Sequence, residues 1–213
     1  IHFVGNVMVD NLFFQLGNLA QKGPSRRILD LKAAIPGQYL CLTLHRPSNV
    51  DRIEHLRPII QALKDIALRI PVIFPCHPRT KACLENFGMM DAFLLPEQTT
   101  GSLERGLLLL EPMGYNDFLY LWKDALLVLT DSGGLQEETT ALKIPCMTLR
   151  ENTERPITVE VGSNVLIGRD MEQLRSEVAD IVAGKANGGN IPDLWDGKAS
   201  ERIAAVLIGH KDT

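Results

Sequence analysis

Short apolar runs alternate with amphipathic stretches along most of the chain. Five runs have the length and composition of buried strands: residues 38–44, 70–76, 107–110, 125–130 and 146–149, with 165–167 as a shorter sixth. Residues 1–5 also resemble a strand. Apolar side chains at helical spacing or breaker-free helical composition predict helices at 7–21, 53–66, 80–88, 115–122, 135–142, 171–182 and 200–208.

The alternation of strands with helices has a direct consequence for the fold. It predicts an α/β protein with a doubly wound, parallel, Rossmann-like sheet and helices on both faces. In such sheets, ligands bind beyond the carboxyl ends of the strands. The residues that follow each strand are therefore the first place to look for chemistry.

Polar clusters begin just after four of the predicted strands. They are His45-Arg46, His77-Pro78-Arg79, Asp131-Ser132-Gly133-Gly134, and Arg150 with Arg155. Because the strands are parallel, these clusters meet at one edge of the sheet, where their positive charge predicts a cleft for an anionic ligand.

The segment 130–138 carries the most informative of these clusters. It joins a strand to a helix through Ser132, Gly133 and Gly134, and free N–H groups at a helix start bind anions. Glu138 would repel a bare phosphate but suits a ligand that also brings hydroxyl donors, such as a nucleotide ribose. The alternative is an ordinary glycine-rich turn in which the acidic pair 137–138 compensates the helix dipole.

Individual side chains allow a functional and a structural interpretation. His45 could donate to a phosphate or act as a general acid, or be a hydrogen-bonded structural histidine. Arg46 and Arg155 could grip phosphate or form surface ion pairs. Phe118 could wall a base pocket or pack in the core. Asp131 has no second carboxylate near it in the pattern, so we predict no metal site.

Composition narrows the class of protein. The chain has 213 residues, 45% hydrophobic and 23% charged, which allows a sizeable core. A net charge of -4 argues against a nucleic-acid partner. The four cysteines lack CxxC spacing, and no apolar run has transmembrane length, so we expect a soluble, cytoplasmic protein with reduced thiols and no membrane contact. The first residue is Ile1, so we expect the chain to begin inside a longer protein.

Several motifs together resemble the non-hydrolysing UDP-N-acetylglucosamine 2-epimerases, and they occur in family order across nearly the whole chain. The two most specific are Thr-Asp-Ser-Gly-Gly-Leu-Gln-Glu-Glu at 130–138 and Leu-Arg-Glu-Asn-Thr-Glu-Arg-Pro at 149–156. The others are Gly5-Asn6 with Asp10, Thr43-Leu44-His45-Arg46 with Asn49, Pro75-Cys76-His77-Pro78, and Asp-Gly-Lys-Ala-Ser-Glu-Arg-Ile at 196–203.

The resemblance implies a domain organisation. The family has two Rossmann-like domains in the glycosyltransferase-B arrangement, and this chain is similar to the C-terminal one. Residues 1–24 would be the interdomain strand and helix, 25–197 the UDP-binding domain, and 198–213 a C-terminal helix. The partners implied are UDP-N-acetylglucosamine or UDP, the missing N-terminal domain, and a second copy in a homodimer.

The resemblance also implies roles for single residues. Ser132, Gly133 and Gly134 would bind the diphosphate, Glu138 would accept from both ribose hydroxyls, and Arg155 would hold the phosphates. Phe118 would lie at the uracil, and His45 would assist departure of the diphosphate. Arg46 and His77 resemble positions that bind a second, activating UDP-N-acetylglucosamine in some bacterial members.

The implied reaction interconverts UDP-N-acetylglucosamine and UDP-N-acetylmannosamine by elimination and re-addition of UDP, with no cofactor. The family often has His-Arg-x-Glu-Asn, and Ser48 replaces the Glu here. The family's acid/base carboxylates belong to the absent domain, so we expect the isolated chain to bind UDP weakly and not to epimerise UDP-N-acetylglucosamine. Two alternatives stay open: a glycosyltransferase-B domain that binds UDP-sugars, and a non-catalytic nucleotide-binding domain.

Overall fold

The computed structural model describes residues 1–98, 101–185 and 188–209. In chain order the elements are α1 (Val7–Lys22), α2 (Arg26–Ala33), β1 (Leu40–Thr43), α3 (Pro47–Val50), α4 (Ile53–Ala67), β2 (Val72–Pro75), α5 (Pro78–Asn86), β3 (Leu107–Leu110), α6 (Tyr115–Trp122), β4 (Leu127–Thr130), α7 (Gly133–Ala141), β5 (Cys146–Thr148), α8 (Ile157–Glu160), β6 (Asn164–Leu166), α9 (Met171–Val182) and α10 (Ala199–Gly209). Two short 3-10 turns, Met90–Ala92 and Pro96–Gln98, precede β3. None of the helices in these described ranges is long and apolar enough to cross a membrane.

The six strands form one parallel sheet in the order β3-β2-β1-β4-β5-β6. The strand order reverses between β1 and β4, which pair in register from Leu40 with Leu127 to Thr43 with Thr130. This is the topological switch point at which doubly wound sheets bind ligands. The predicted fold class, a doubly wound Rossmann-like sheet, is confirmed.

The sheet separates two apolar cores. Leu40 and Leu42 of β1 point into the core that is covered by α4, α5 and α9, whereas Cys41 between them points into the core under α1, α2, α6 and α7. This alternation follows from the two-residue period of a strand. Because both faces are buried, the strand sequences are continuously apolar, which is why they were recognisable.

One side chain of α1 holds the start of α10. Asp10 Oδ1 accepts a hydrogen bond from the Ala199 N–H (3.0 Å) and Oδ2 accepts one from the Ser200 N–H (2.6 Å), so a carboxylate on α1 caps α10. Gly5 has φ +96°, and a Cβ there would lie 2.3 Å from the Leu194 carbonyl oxygen. The motifs Gly5-Asn6 with Asp10 and 196–203, at the two ends of the chain, therefore meet at one packed junction.

Several element predictions need correction. Residues 1–5 are not a strand: Ile1 and Phe3 are exposed, and none of the six paired strands includes them. Helices α2, α3 and α8 were not predicted, because they are short and bury few side chains. The domain boundaries at residues 24 and 197 stay a prediction, and residues 210–213 of the predicted C-terminal helix lie outside the described residues.

Candidate nucleotide-binding site

The switch point is organised by one buried carboxylate. Asp131 follows β4, has no exposed surface, and accepts hydrogen bonds from the backbone N–H of His45 (3.0 Å) and of Arg46 (2.8 Å). The amide of Asn49 also donates to it (3.2 Å), and the His45 ring Nδ1 lies 2.9 Å from Oδ1. Asp131 therefore fixes the segment that follows β1 against the end of β4.

The two partners change each other's protonation. A hydrogen bond to Asp131 raises the pKa of His45 above its ordinary value, against the opposing effect of partial burial. Burial by itself raises the pKa of Asp131, but its hydrogen bonds from His45 and Arg46 outweigh burial and keep the pKa below the usual range. With Nδ1 engaged, His45 Nε2 is the ring nitrogen without a partner among the described residues.

The turn after Asp131 has the geometry of an anion site. Ser132 is the N-cap of α7, its own N–H is donated to Thr130 Oγ1 (2.9 Å), and its side chain makes no capping hydrogen bond. Gly133 and Gly134 are the first two residues of α7, so their N–H groups lack helical acceptors. A Cβ at Gly133 would meet only Glu154 Oε2, at 3.9 Å, which leaves open space above this backbone.

The acidic pair of α7 divides into two environments. Glu138 is 5% exposed, and the Tyr115 hydroxyl donates to its Oε1 at 2.6 Å. Burial raises the pKa of Glu138, which the Tyr115 hydrogen bond partly opposes. Glu137 is also buried, but its Oε1 accepts from the Asn6 side-chain amide (2.8 Å). The two carboxylates therefore accept hydrogen bonds from different parts of the chain.

Arg155 is placed by Glu137. Its Nε lies 3.0 Å from Glu137 Oε1, which is an ion-pair distance, although the N–H direction does not form a hydrogen bond with that oxygen. Nη1 donates to the Glu154 carbonyl (3.2 Å), and the side chain is 41% exposed. The guanidinium is thus partly open to a ligand and partly neutralised by a neighbour.

The remaining predicted residues have local roles as well. Phe118 is half-buried against the core under α1 and α6, and it does not line the cavity of about 480 Å³ beside Met113 and Gly114. Arg46 Nε donates to the Asp131 carbonyl (3.2 Å). His77 is exposed and caps α5, because its Nδ1 accepts from the Arg79 N–H (3.2 Å).

Sequence reasoning missed two residues of this site. The sequence indicates Asp131 as a member of the polar cluster after a strand but not as the acceptor for His45, and it places Tyr115 only within the predicted helix 115–122. The signal for Asp131 was its position directly after β4, next to Ser132. Over residues 1–98, 101–185 and 188–209, no group of three or more His, Cys, Asp or Glu side chains is placed to hold a metal ion.

A parallel sheet whose strand order reverses at β1/β4, with a glycine-rich helix start after β4, defines a doubly wound, Rossmann-like α/β domain. The sequence model described as UDP-N-acetylglucosamine 2-epimerase matches residues 1–208. The chain belongs to the UDP-N-acetylglucosamine 2-epimerase family.

Curated and structural relatives agree with this assignment. The chain is 41% identical, over 97% of its length, to the UDP-N-acetylglucosamine 2-epimerase of Methanocaldococcus jannaschii, and 38% identical, over 99%, to that of Methanococcus maripaludis. A crystal structure of the M. jannaschii UDP-GlcNAc 2-epimerase in complex with UDP-GlcNAc and UDP superimposes with a TM-score of 0.79, at 39% identity over 98% of this chain. This chain spans only 54% of that crystallised chain and 54–55% of the two curated relatives.

Proposed function

We propose that this chain is the UDP-binding, C-terminal half of a UDP-N-acetylglucosamine 2-epimerase, an isomerase that inverts C2 of the sugar by eliminating and re-adding UDP. The observation that carries the proposal is the arrangement at the switch point, where Asp131 holds His45 beside the open start of α7. Family membership favours the epimerase over the glycosyltransferase alternative.

The diphosphate is assigned to the start of α7. The N–H groups of Gly133 and Gly134 and the Ser132 hydroxyl supply donors without helical or capping partners, and the helix dipole favours negative charge there. Arg155 adds a partly exposed guanidinium from the loop after β5. Its pairing with Glu137 leaves it oriented yet still available for bidentate contact through its Nη atoms.

The nucleoside is assigned to the region of α6. Glu138 is a buried acceptor, which suits two ribose hydroxyls better than a phosphate. The cavity beside Met113 and Gly114 is where backbone groups near α6 would meet the uracil, with Phe118 behind them in the core. The ligand would then run from the start of α6 to the start of α7, across the end of β4.

His45 is assigned to the departing diphosphate. Its raised pKa increases the cationic fraction near neutral pH, and the free Nε2 can donate to a phosphate oxygen as negative charge develops on UDP. Loss of one such donor costs on the order of 10²–10³ in rate in other enzymes. The carboxylates that move the C2 proton are assigned to the other half of the protein. This chain by itself is therefore expected to bind UDP but not to catalyse epimerisation of UDP-N-acetylglucosamine.

The assembly is proposed on the same basis. The relatives are about twice as long as this chain, which supports a second domain that closes the cleft. The family resemblance supports a homodimer, and the four cysteines, which are free thiols, support a cytoplasmic location. Arg46 and His77 are assigned to a second, activating UDP-N-acetylglucosamine.

The test is calorimetric titration of the 213-residue chain with uridine, UMP and UDP. We expect affinity to rise in that order, because each phosphate adds contacts at α7. Glu138→Ala and Arg155→Ala should each weaken UDP binding by about tenfold or more, since each removes a hydrogen bond to a charged group.

Matched controls are Arg26→Ala and Glu85→Ala, which remove exposed charges on α2 and α5 and should leave UDP affinity within about twofold. The proposal is overturned if the chain binds uridine as tightly as UDP, or if the control variants lose as much affinity as the site variants. Turnover of UDP-N-acetylglucosamine by this chain alone would contradict the division of labour between the two halves.

A further inference from the structure

Tyr115 connects two helices that flank the proposed nucleotide path. It is the first residue of α6, and its hydroxyl reaches Glu138 Oε1 on α7 at 2.6 Å. The side chain is partly exposed, whereas Glu138 is buried. The hydrogen bond therefore lies where the surface of the cleft meets the interior.

Glu138 depends on this contact more than Glu137 depends on any one partner. Glu137 has the Asn6 amide and the Arg155 guanidinium within reach, but among the described residues Glu138 has the Tyr115 hydroxyl as its hydrogen-bond donor and no cationic partner. Burial and the negative charge of Glu137 both raise the pKa of Glu138, and the Tyr115 hydroxyl opposes them. The pKa of Tyr115 is itself raised by burial and by Glu138, so the phenol stays a donor.

The contact also orients the carboxylate. With Oε1 accepting from Tyr115, Oε2 has no hydrogen-bond partner within the described residues. A carboxylate oxygen has two acceptor positions, so Oε2 and the second lone pair of Oε1 stay available to a ligand. A ligand with two adjacent hydroxyls matches this arrangement.

We propose that Tyr115 is a positioning residue that holds Glu138 as an oriented acceptor for the ribose hydroxyls and thereby makes the site select ribonucleotides over 2′-deoxyribonucleotides. The proposal rests on the proposed function, which assigns Glu138 to the ribose. A site built around a buried acceptor discriminates against a ligand that lacks the matching hydroxyl, because the acceptor is then left unpaired.

A purely structural tie between α6 and α7 would behave differently. Loss of such a tie would lower the stability of the chain and would weaken UDP and 2′-deoxy-UDP to the same extent. A positioning role predicts a change in the ratio of the two dissociation constants. The ratio therefore separates the two interpretations even if the variant is less stable.

The experiment measures UDP and 2′-deoxy-UDP binding to the wild-type chain and to Tyr115→Phe by calorimetry at one pH. We expect wild type to prefer UDP by about tenfold or more, the worth of a hydrogen bond to a charged group, and Tyr115→Phe to reduce that preference to about threefold or less. Tyr120→Phe is the matched control, since its hydroxyl makes no hydrogen bond within the described residues and its ring contacts Lys32 and Lys123. It should keep the wild-type ratio.

Two further measurements make the result decisive. In a Glu138→Ala background, adding Tyr115→Phe should change the ratio no further, because the acceptor that Tyr115 positions is no longer present. In Tyr115→Phe with Glu138 present, the pKa of Glu138 should rise, because the donor that favours the ionised carboxylate is lost. As the pH is lowered, UDP binding by this variant should therefore begin to weaken at a higher pH than UDP binding by wild type. An unchanged UDP/2′-deoxy-UDP ratio in Tyr115→Phe overturns the inference alone, whereas absence of UDP binding by wild type overturns the proposed function.

Discussion

His45 Nδ1 lies 2.9 Å from Oδ1 of Asp131, and the same carboxylate accepts the backbone N–H of His45. The side chain and the main chain of one histidine are thus held by one buried aspartate from the neighbouring strand. This double attachment fixes which ring nitrogen is free and makes the ring easier to protonate.

The first prediction concerns pH. Because the pKa of His45 is raised above its usual value of about 6.5, the cation is present below that raised pKa and is lost as the pH increases through it. UDP binding should therefore be stronger in wild type than in His45→Gln at pH 6, and the advantage should shrink toward pH 9. Calorimetry of both proteins across this range measures the ratio, in which the titration of UDP itself cancels. A ratio that does not vary with pH would contradict a cationic His45 at the diphosphate.

Asp131 should be costly to alter. Asp131→Asn replaces one acceptor oxygen by an NH₂ group that faces the donors of His45, Arg46 and Asn49. We expect a loss of about 3 kcal/mol in the free energy of unfolding, measured by urea denaturation, because buried hydrogen bonds to a charged group are lost. Asp30→Asn makes the same charge change at an exposed residue and should stay within about 0.5 kcal/mol of wild type. Equal midpoints for the two variants would show that Asp131 does not hold the switch point together.

Helix α4 provides a matched pair for the core. Leu63 is fully buried between α4 and the sheet, and Leu68, at the end of the same helix, is 71% exposed. Leu63→Ala should lower the free energy of unfolding by about 3 kcal/mol through lost burial and a residual cavity, and Leu68→Ala should change it by less than about 0.5 kcal/mol. Thermal or urea unfolding of both variants tests this, and similar losses would contradict the difference in burial between Leu63 and Leu68.

The cap that Asp10 supplies to α10 should be visible locally. Asp10→Ala removes the acceptor for the Ala199 and Ser200 N–H groups, and a helix cap contributes about 1 kcal/mol. Amide hydrogen exchange in α10 should become about fivefold faster, with α9 unchanged. Asp170→Ala, which removes the local cap of α9, should give the reverse pattern. Faster exchange throughout the chain in Asp10→Ala would indicate a global rather than a local effect.

Much of the architecture followed from the sequence because its strands are buried on both faces. Runs such as Leu107–Leu110 need no partner information to be recognised, and parallel order places their ends at one edge. The predicted position of Ser132, Gly133 and Gly134 at a helix start is also confirmed, because these residues directly follow such a buried strand. Their ligand contacts, like those of Phe118, Glu138 and Arg155, stay predictions.

What the sequence did not reveal depends on contacts between distant segments. The hydrogen bonds between Asp131 and His45 join residues that are 86 positions apart. The hydrogen bond between Tyr115 and Glu138 joins residues that are 23 positions apart, and no periodic pattern in the sequence links them. The strand predicted at residues 1–5 failed for a related reason. A short apolar run forms a strand only if a neighbouring strand pairs with it, and the composition of residues 1–5 does not show whether such a neighbour exists.

The junction between Asp10 and the start of α10 also bears on the order in which the chain folds. Its hydrogen bonds connect residues 189 and 190 positions apart, whereas each β-strand pairs with neighbours much closer along the chain. Closing so long a loop costs more entropy and is repaid only after the intervening sheet has formed. We therefore expect the docking of α10 on α1 to be a late event in folding, and mutations at this junction to accelerate unfolding more than they slow folding.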